Sequence, residues 1–324
     1  MANDLHHPHD KLFRTVFSDT TEAADFLRGS VPETLSRELD WATLTLLDGS
    51  FIDEALRESE SDLLYQIEHG PSQERIQVYI LFEHQSSADA WMRFRLLKYC
   101  CRIWDHSFRE NPEQTQLSPI LPLVFYQGKR KWQHATEFAE LFPEVLRDWA
   151  CVPHFAHTLI DQSGLEPEAV QGGVKGRLLQ LLLLAAFRPP LRAALDQAAE
   201  LLAALPPSGG VDYVRVFIRY VVATQDPEAV KAFGEALQRH AAGAGGEIMT
   251  YAQELLQEGE RKGRQEGRQE GRQEGERKGE IKGQIETIEN FLKAGVEWAV
   301  IEAATGIDEQ QLAALKQQLA EMTH

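Results

Sequence analysis

A chain of 324 residues with 43% hydrophobic content can hold two domains, or one domain with a long extension, around a real core. Its three cysteines, Cys100, Cys101 and Cys151, make no C-x-x-C pattern and are odd in number, so a reducing cytoplasm is expected rather than export. The formal charge of −17 opposes long-range attraction to nucleic acid. The start MANDLHHPHDK lacks an apolar leader, and the longest apolar run, Leu178 to Phe187, is too short to cross a bilayer, so no membrane role is expected.

The first motif is His9-Asp10-x-x-Phe13 with Phe17, at the start of a predicted helix. Asp10 is either the cap that begins a helix from Lys11 to Phe17 or an acidic contributor to a site. Next, Asp62 to Glu68 (DLLYQIE) and Arg75 to Gln85 (RIQVYILFEHQ) both alternate as half-buried strands do, and Gly70-Pro71-Ser72 between them carries turn chemistry. They form a β-hairpin. With Asp62 opposite Glu83, the midpoint of the pairing falls inside that turn. Leu63, Tyr65 and Ile67 then share one face with Phe82, Ile80 and Val78, while Asp62, Glu83 and Gln85 lie on the other. Two carboxylates gathered in a cleft repel each other unless a hard divalent cation such as Mg²⁺ joins them. That arrangement suits phosphodiester hydrolysis.

A helix from about Ala88 to Arg109 follows, with Trp91, Phe94, Leu97, Cys101, Trp104 and Phe108 as its expected core stripe. Arg95, Lys98, Arg102 and Arg109 share a neighbouring face, Arg93 lies close by, and a second basic cluster, Lys129-Arg130-Lys131, follows Gln127-Gly128. These cations either reach DNA phosphates or balance nearby acids, since residues 1–165 hold 15 Lys and Arg against 26 Asp and Glu. Strands at Pro119 to Tyr126 and Phe155 to Ile160 complete a small mixed sheet, with a helix near Thr136 to Trp149 between them. Beyond Gly164 the spacing turns helical, at about 174–187, 190–204, 211–223 and 227–240.

From Gly259 to Gly283 a glycine recurs at every fourth position among Glu, Arg, Lys and Gln. The period excludes collagen, which needs glycine at every third residue. Arg264, Arg268 and Arg272 form one row, and Glu266, Glu270 and Glu274 another. Such rows complement a neighbouring helix better than they stabilise a lone one, which predicts a self-associating helix; a hydrophilic linker is the alternative. The tail predicts a helix to Lys293, a stop at Gly295, then Glu297 to Ala304 and a last helix from Asp308. It reads as a helical hairpin or a helix-turn-helix. An internal start at Met249, after Gly245-Gly246-Glu247-Ile248, would release this tail as a small protein able to assemble with the full chain.

The ordered series His9-Asp10-x-x-Phe13, Asp62-Leu63-Leu64-Tyr65, Leu81-Phe82-Glu83-His84-Gln85-Ser86, Met92-x-Phe94-Arg95 with Tyr99, and Pro119 to Gly128 (PILPLVFYQG) resembles the recombination-promoting nuclease, or Rpn, family. That YhgA-like family lies within the PD-(D/E)XK nuclease superfamily. The resemblance implies an α/β fold: a restriction-endonuclease-like core with a small mixed sheet flanked by helices, then an all-helical C-terminal region. The expected divisions are residues 1–165, 166–258, 259–283 and 284–324. It implies that Asp62, Glu83 and the His84 main-chain carbonyl hold Mg²⁺, with Mn²⁺ or Ca²⁺ as substitutes, and that Asp10 is a possible further acid. Gln85 stands where most of the superfamily has lysine, which leaves the water-activating group open. The expected activity is a metal-dependent DNA endonuclease serving recombination or defence against foreign DNA. Its rival is a noncatalytic, oligomerising DNA-binding module on the same fold.

Overall fold

The computed structural model describes residues 7–47, 63–70, 77–188, 192–203, 205, 213–240 and 246–321. The chain divides into two compact units, residues 1–259 and 260–324. In the first unit, helices α1 (Pro8–Phe17), α2 (Thr20–Ser30) and the short α3 (Glu33–Ser36) precede strand β1 (Leu39–Leu46). Strands β2 (Leu63–His69) and β3 (Gln77–Gln85) follow, then α4 (Met92–Glu110), β4 (Ile120–Tyr126) and β5 (Thr158–Asp161). One sheet in the order β1-β2-β3-β4-β5 results, antiparallel from β1 to β3 and parallel from β3 to β5. The expected small mixed sheet is therefore present.

The hairpin register is the expected one: Leu63 pairs with Phe82, Tyr65 with Ile80 and Ile67 with Val78. Leu63, Tyr65, Ile67, Ile80 and Phe82 are buried together in the larger core, with Phe13 and Phe17 of α1 and Leu123 and Phe125 of β4. The Tyr65 hydroxyl donates to the Phe17 carbonyl at 2.5 Å, which ties the end of α1 to the middle of the hairpin. On the opposite face Leu64, Val124 and Tyr126 pack against Met92, Leu96, Tyr99 and Ile103 of α4. Each fully buried aliphatic or aromatic side chain here contributes roughly 1.5–3 kcal/mol.

Three local expectations are corrected. The α4 core stripe is not the aromatic one, because Trp91, Phe94 and Phe108 are 64%, 46% and 45% exposed while Met92, Leu96, Tyr99 and Ile103 are buried. Two stripes of the same period lie side by side on this helix, and it is Met92, Leu96, Tyr99 and Ile103 that pack on Leu64, Val124 and Tyr126 of the sheet. No long helix fills 136–149; two single 3₁₀ turns, Phe138–Leu141 and Glu144–Leu146, stand there. Pro143 between them lacks an N–H and disfavours helix at Phe142, so the turns cannot merge. Strand β1 was not expected at all. Asp40, Thr43 and Thr45 interrupt its apolar residues, and its pairing with β2 shifts register between Asp40 and Thr45.

Helices α5 (Val174–Phe187), α6 (Arg192–Ala203), α7 (Tyr213–Thr224) and α8 (Pro227–His240) lie close to their expected bounds. Their apolar faces join the same core as α1, α2 and the hairpin rather than closing on a core of their own. The Glu22 carboxylate of α2 accepts from Gly176 N at 3.0 Å, and Lys175 Nζ lies 2.7 Å from Asp19, so α2 clasps the first turn of α5. Burial alone would push Asp19 up, but the Lys175 hydrogen bond and charge outweigh it and hold the carboxyl below its ordinary value.

Helix α9 (Gly246–Lys293) contains the whole glycine repeat, so residues 259–283 are helical. In the second unit α10 (Trp298–Thr305) and α11 (Glu309–Glu321) follow, with Gly295 and Gly306 at φ 77° and 69° ending the preceding helices. Ile281, Ile285 and Ile288 of α9 pack on Ile301 and Leu312, giving this unit a small core. No helix among the described residues is long and apolar enough to cross a membrane.

Candidate nuclease site

Strand β3 carries most of the expected site. It is the middle strand of five, antiparallel to β2 on one side and parallel to β4 on the other, where Glu83 stands beside Val124, His84 beside Phe125 and Gln85 beside Tyr126. Such double pairing fixes the backbone of the Glu83-His84-Gln85 triplet on both edges. Alternation puts Phe82 and His84 on the α1 face, and positions 83 and 85 belong to the α4 face with Leu64 and Tyr126. Asp62 lies outside the described residues, immediately before Leu63, the first residue of β2. The Gln85 amide Nε2 donates to the His84 carbonyl at 2.7 Å, so one lone pair of that carbonyl is engaged by the neighbouring side chain.

Asp10 and His84 meet on the other side of the same strand. His84 is fully buried at its side chain, Asp10 is 24% exposed, and Asp10 Oδ1 lies 2.6 Å from His84 Nδ1. Phe13, one turn along α1, stacks on the imidazole with centroids 4.9 Å apart and planes at 28°. Asp10 is thus not the helix cap. Pro8 starts α1 two residues earlier, where its missing N–H costs nothing, and Asp10 falls in the first turn. Burial alone would raise the Asp10 carboxyl; the hydrogen bond and attraction of His84 prevail, with help from His7 and His9, and hold it below the ordinary carboxylate range.

His9, the residue before Asp10, faces the helical layer instead. Its Nδ1 lies 2.7 Å from the Tyr220 hydroxyl of α7, and its ring lies 4.8 Å from that of Phe187 at the end of α5. Burial, with His84 adding and Asp10 opposing, lowers its pKa to about 4, which keeps it neutral near pH 7. Two adjacent side chains of α1 therefore anchor in opposite directions, one on β3 and one on α7.

The expected cations are placed unequally. Arg93 is 7% exposed, and its guanidinium serves the carbonyls of Glu137 and Ala90, both at 3.3 Å, inside the protein. Arg95 Nη1 lies 3.2 Å from Asp89, Lys98 Nζ stands 5.4 Å over the Phe94 ring, and Arg102 is half-buried. Lys129, Arg130 and Lys131 are exposed. Their loop is pinned at both ends: the Tyr126 hydroxyl donates to the Arg130 carbonyl at 2.8 Å, and Trp132 N donates to Asp161 at 3.0 Å. This loop leaves the C-terminal end of β4, one strand from Gln85.

Sequence reasoning assigned His84 only through its carbonyl and missed its side chain as the partner of Asp10. Histidine in the middle of Glu-His-Gln was the available signal, since alternation turns it into the core. Gln127 was also missed; it is fully buried just past β4, and its amide atoms have no hydrogen-bond partner among the described residues. No group of three or more His, Cys, Asp or Glu that could hold a metal converges among the described residues, a set that lacks Asp62.

Residues 7–208 match the family described as "Putative transposase, YhgA-like". The recombination-promoting nuclease RpnA of Escherichia coli strain K12 is 26% identical over 317 residues, covering 96% of this chain and 97% of that protein. The recombination-promoting nuclease RpnD of Escherichia coli O157:H7 is 27% identical, over 76% of this chain and 94% of its own. A third relative, from strain K12, is named inactive recombination-promoting nuclease-like protein RpnE and is 26% identical over 78% of this chain and 83% of its own. No solved structure matches the chain.

Proposed function

The chain belongs to the YhgA-like transposase family, and from that premise we propose that it is a metal-dependent DNA endonuclease of the PD-(D/E)XK type whose cuts promote recombination. The observation that carries this reading is the setting of Glu83-His84-Gln85 on the central strand, next to a hairpin partner whose register begins with Leu63 opposite Phe82. The relatives named recombination-promoting nucleases, similar over most of the chain, point the same way.

In this reading Asp62, Glu83 and the His84 carbonyl hold the cation, and an all-oxygen donor set suits Mg²⁺, or Mn²⁺ or Ca²⁺, rather than a thiophilic metal. When bound, the cation supplies positive charge against the phosphate and a more acidic water. Gln85, in the place of the superfamily's lysine, would meet such a water only as a neutral amide, with its Nε2 already donating to the His84 carbonyl. Arg95, Lys98 and Arg102 on α4, with Lys129, Arg130 and Lys131 beyond β4, hold phosphates and set the duplex in register. The glycine-repeat helix serves self-association. A Cβ at Gly267, Gly271, Gly275, Gly279 or Gly283 would meet nothing within 4 Å, so packing inside this chain does not explain residues that disfavour helix.

Two observations favour a noncatalytic DNA-binding role instead: Gln85 is turned onto the His84 carbonyl that the metal reading needs, and the relative RpnE is named inactive. Incubation with supercoiled plasmid at low salt separates the two. The nuclease reading expects nicking in Mg²⁺ or Mn²⁺, none in EDTA, and none from Asp62→Ala. Equal nicking by wild type and Asp62→Ala, or none by a folded wild type, contradicts it.

A further inference from the structure

The Asp10–His84 pair has no part in the reading above, in which Asp10 could at most be a further ligand. Its geometry argues for another role. The pair joins α1 to the one strand that carries Glu83 and Gln85, and it does so at the residue between them. His84 has no exposed side-chain surface, is stacked on Phe13, and lies 5.8 Å from the Phe125 ring of β4, so its ring has little room to rotate. Asp10, at 2.6 Å, is the hydrogen-bond partner of Nδ1 among the described residues and fixes which way it points. The base of α1 is itself held from behind by His9 on Tyr220 and Phe187.

We propose that His84 and Asp10 are positioning residues: Asp10 locks the His84 imidazole on the α1 face, and the locked ring pins against α1 the end of the paired strand β3 whose positions 83 and 85 belong to the α4 face. Because side chains of a strand alternate, a ring that is fixed on one face constrains the positions on both sides of it to the other. Supporting shells of this kind matter through geometry, and small misplacements of reacting groups carry large losses of rate. The Asp10 carboxylate then acts through His84 and is not a ligand. The inference rests on the nuclease reading.

The test is a double-mutant cycle in the full-length protein, with two readouts: plasmid cleavage rate at saturating Mn²⁺, and Mn²⁺ affinity from the paramagnetic signal of the free ion. Asp10→Asn and His84→Leu should each slow cleavage by about tenfold to a hundredfold, the usual range for supporting contacts. The double variant should be no slower than the worse single one. His84→Asn, whose amide can donate from nearly the position of Nδ1, should restore most of the rate lost in His84→Leu, and this also guards against a simple folding defect. Losses that multiply in the double variant would overturn the proposal, as would Asp10→Asn still weakening Mn²⁺ binding in the His84→Leu protein, the behaviour of an independent ligand. A wild type that cleaves while all these variants match it removes this proposal alone. A folded wild type that cleaves in no metal tested, or equally well in EDTA, removes the metal-dependent nuclease reading and this proposal with it.

Discussion

His157 shows how a single buried group sets a property of the whole fold. It is 3% exposed beside Trp132, and burial, reinforced by the charge of Arg93 and only partly opposed by the Thr136 backbone, lowers its pKa to about 4. In the unfolded chain the imidazole titrates near 6.5, so between those values the unfolded state binds more protons. Its contribution to stability is therefore complete above about pH 6.5 and is lost as the pH falls toward 4, by roughly 1.5 kcal/mol between pH 6.5 and pH 5. Urea unfolding of wild type and His157→Phe across this range should show a shallower acid slope in the variant; parallel slopes would mean that His157 takes up its proton as readily in the folded as in the unfolded state. None of this was legible in the sequence, where His157 lies in an unremarkable Phe-Ala-His-Thr run. The Glu83-His84-Gln85 triplet was legible as a pattern. Its division into an α4 face and an α1 face with Asp10 follows from alternation, but the identity of the His84 partner depends on where α1 crosses the sheet.

Among the elements, the loop after β4 is held by contacts at both ends. A Cβ on Gly128 would lie 2.0 Å from the Tyr126 hydroxyl, because the buried tyrosine ring folds back to donate to the Arg130 carbonyl. Gly128→Ala must displace that ring from Trp132, whose centroid is 5.1 Å away, and should cost about 1–3 kcal/mol, the usual penalty of overpacking. Thermal melting measures the loss, and DNA binding should weaken with it if this loop holds Lys129, Arg130 and Lys131 for phosphates. An unchanged melting temperature would mean that Tyr126 has a second place to go. The hairpin, the two later strands and α5 to α8 were all readable from periodicity, prolines and glycines. What failed has two causes. The α4 stripe and β1 depend on what the rest of the protein presents to them, which size, length and alternation within the segment do not carry, whereas the 136–149 segment is broken locally, by Pro143.

At the scale of the molecule the acidity remains the strongest objection to a DNA enzyme, since the formal charge is −17 and residues 1–165 alone are 26 minus 15 in favour of acids. In the proposed reading a divalent cation held by Asp62 and Glu83 would answer part of it, and the exposed Lys129-Arg130-Lys131 loop would answer part. Affinity should therefore be weak, dependent on metal and steeply lost with salt. The division at residues 259 and 260 lies one residue from the expected start of the glycine repeat, whereas the shared core of α1, α2, the sheet and α5 to α8 could not be read from composition, because the segment after Gly164 changes its periodicity without changing its core. The decisive measurement is a comparison of wild type with Glu83→Gln at low salt, DNA affinity being taken in Ca²⁺ under conditions without turnover and single-turnover cleavage in Mg²⁺. A metal-dependent nuclease predicts that the neutral, near-isosteric variant still binds DNA and no longer cuts it. Cleavage by Glu83→Gln at the wild-type rate would contradict the account.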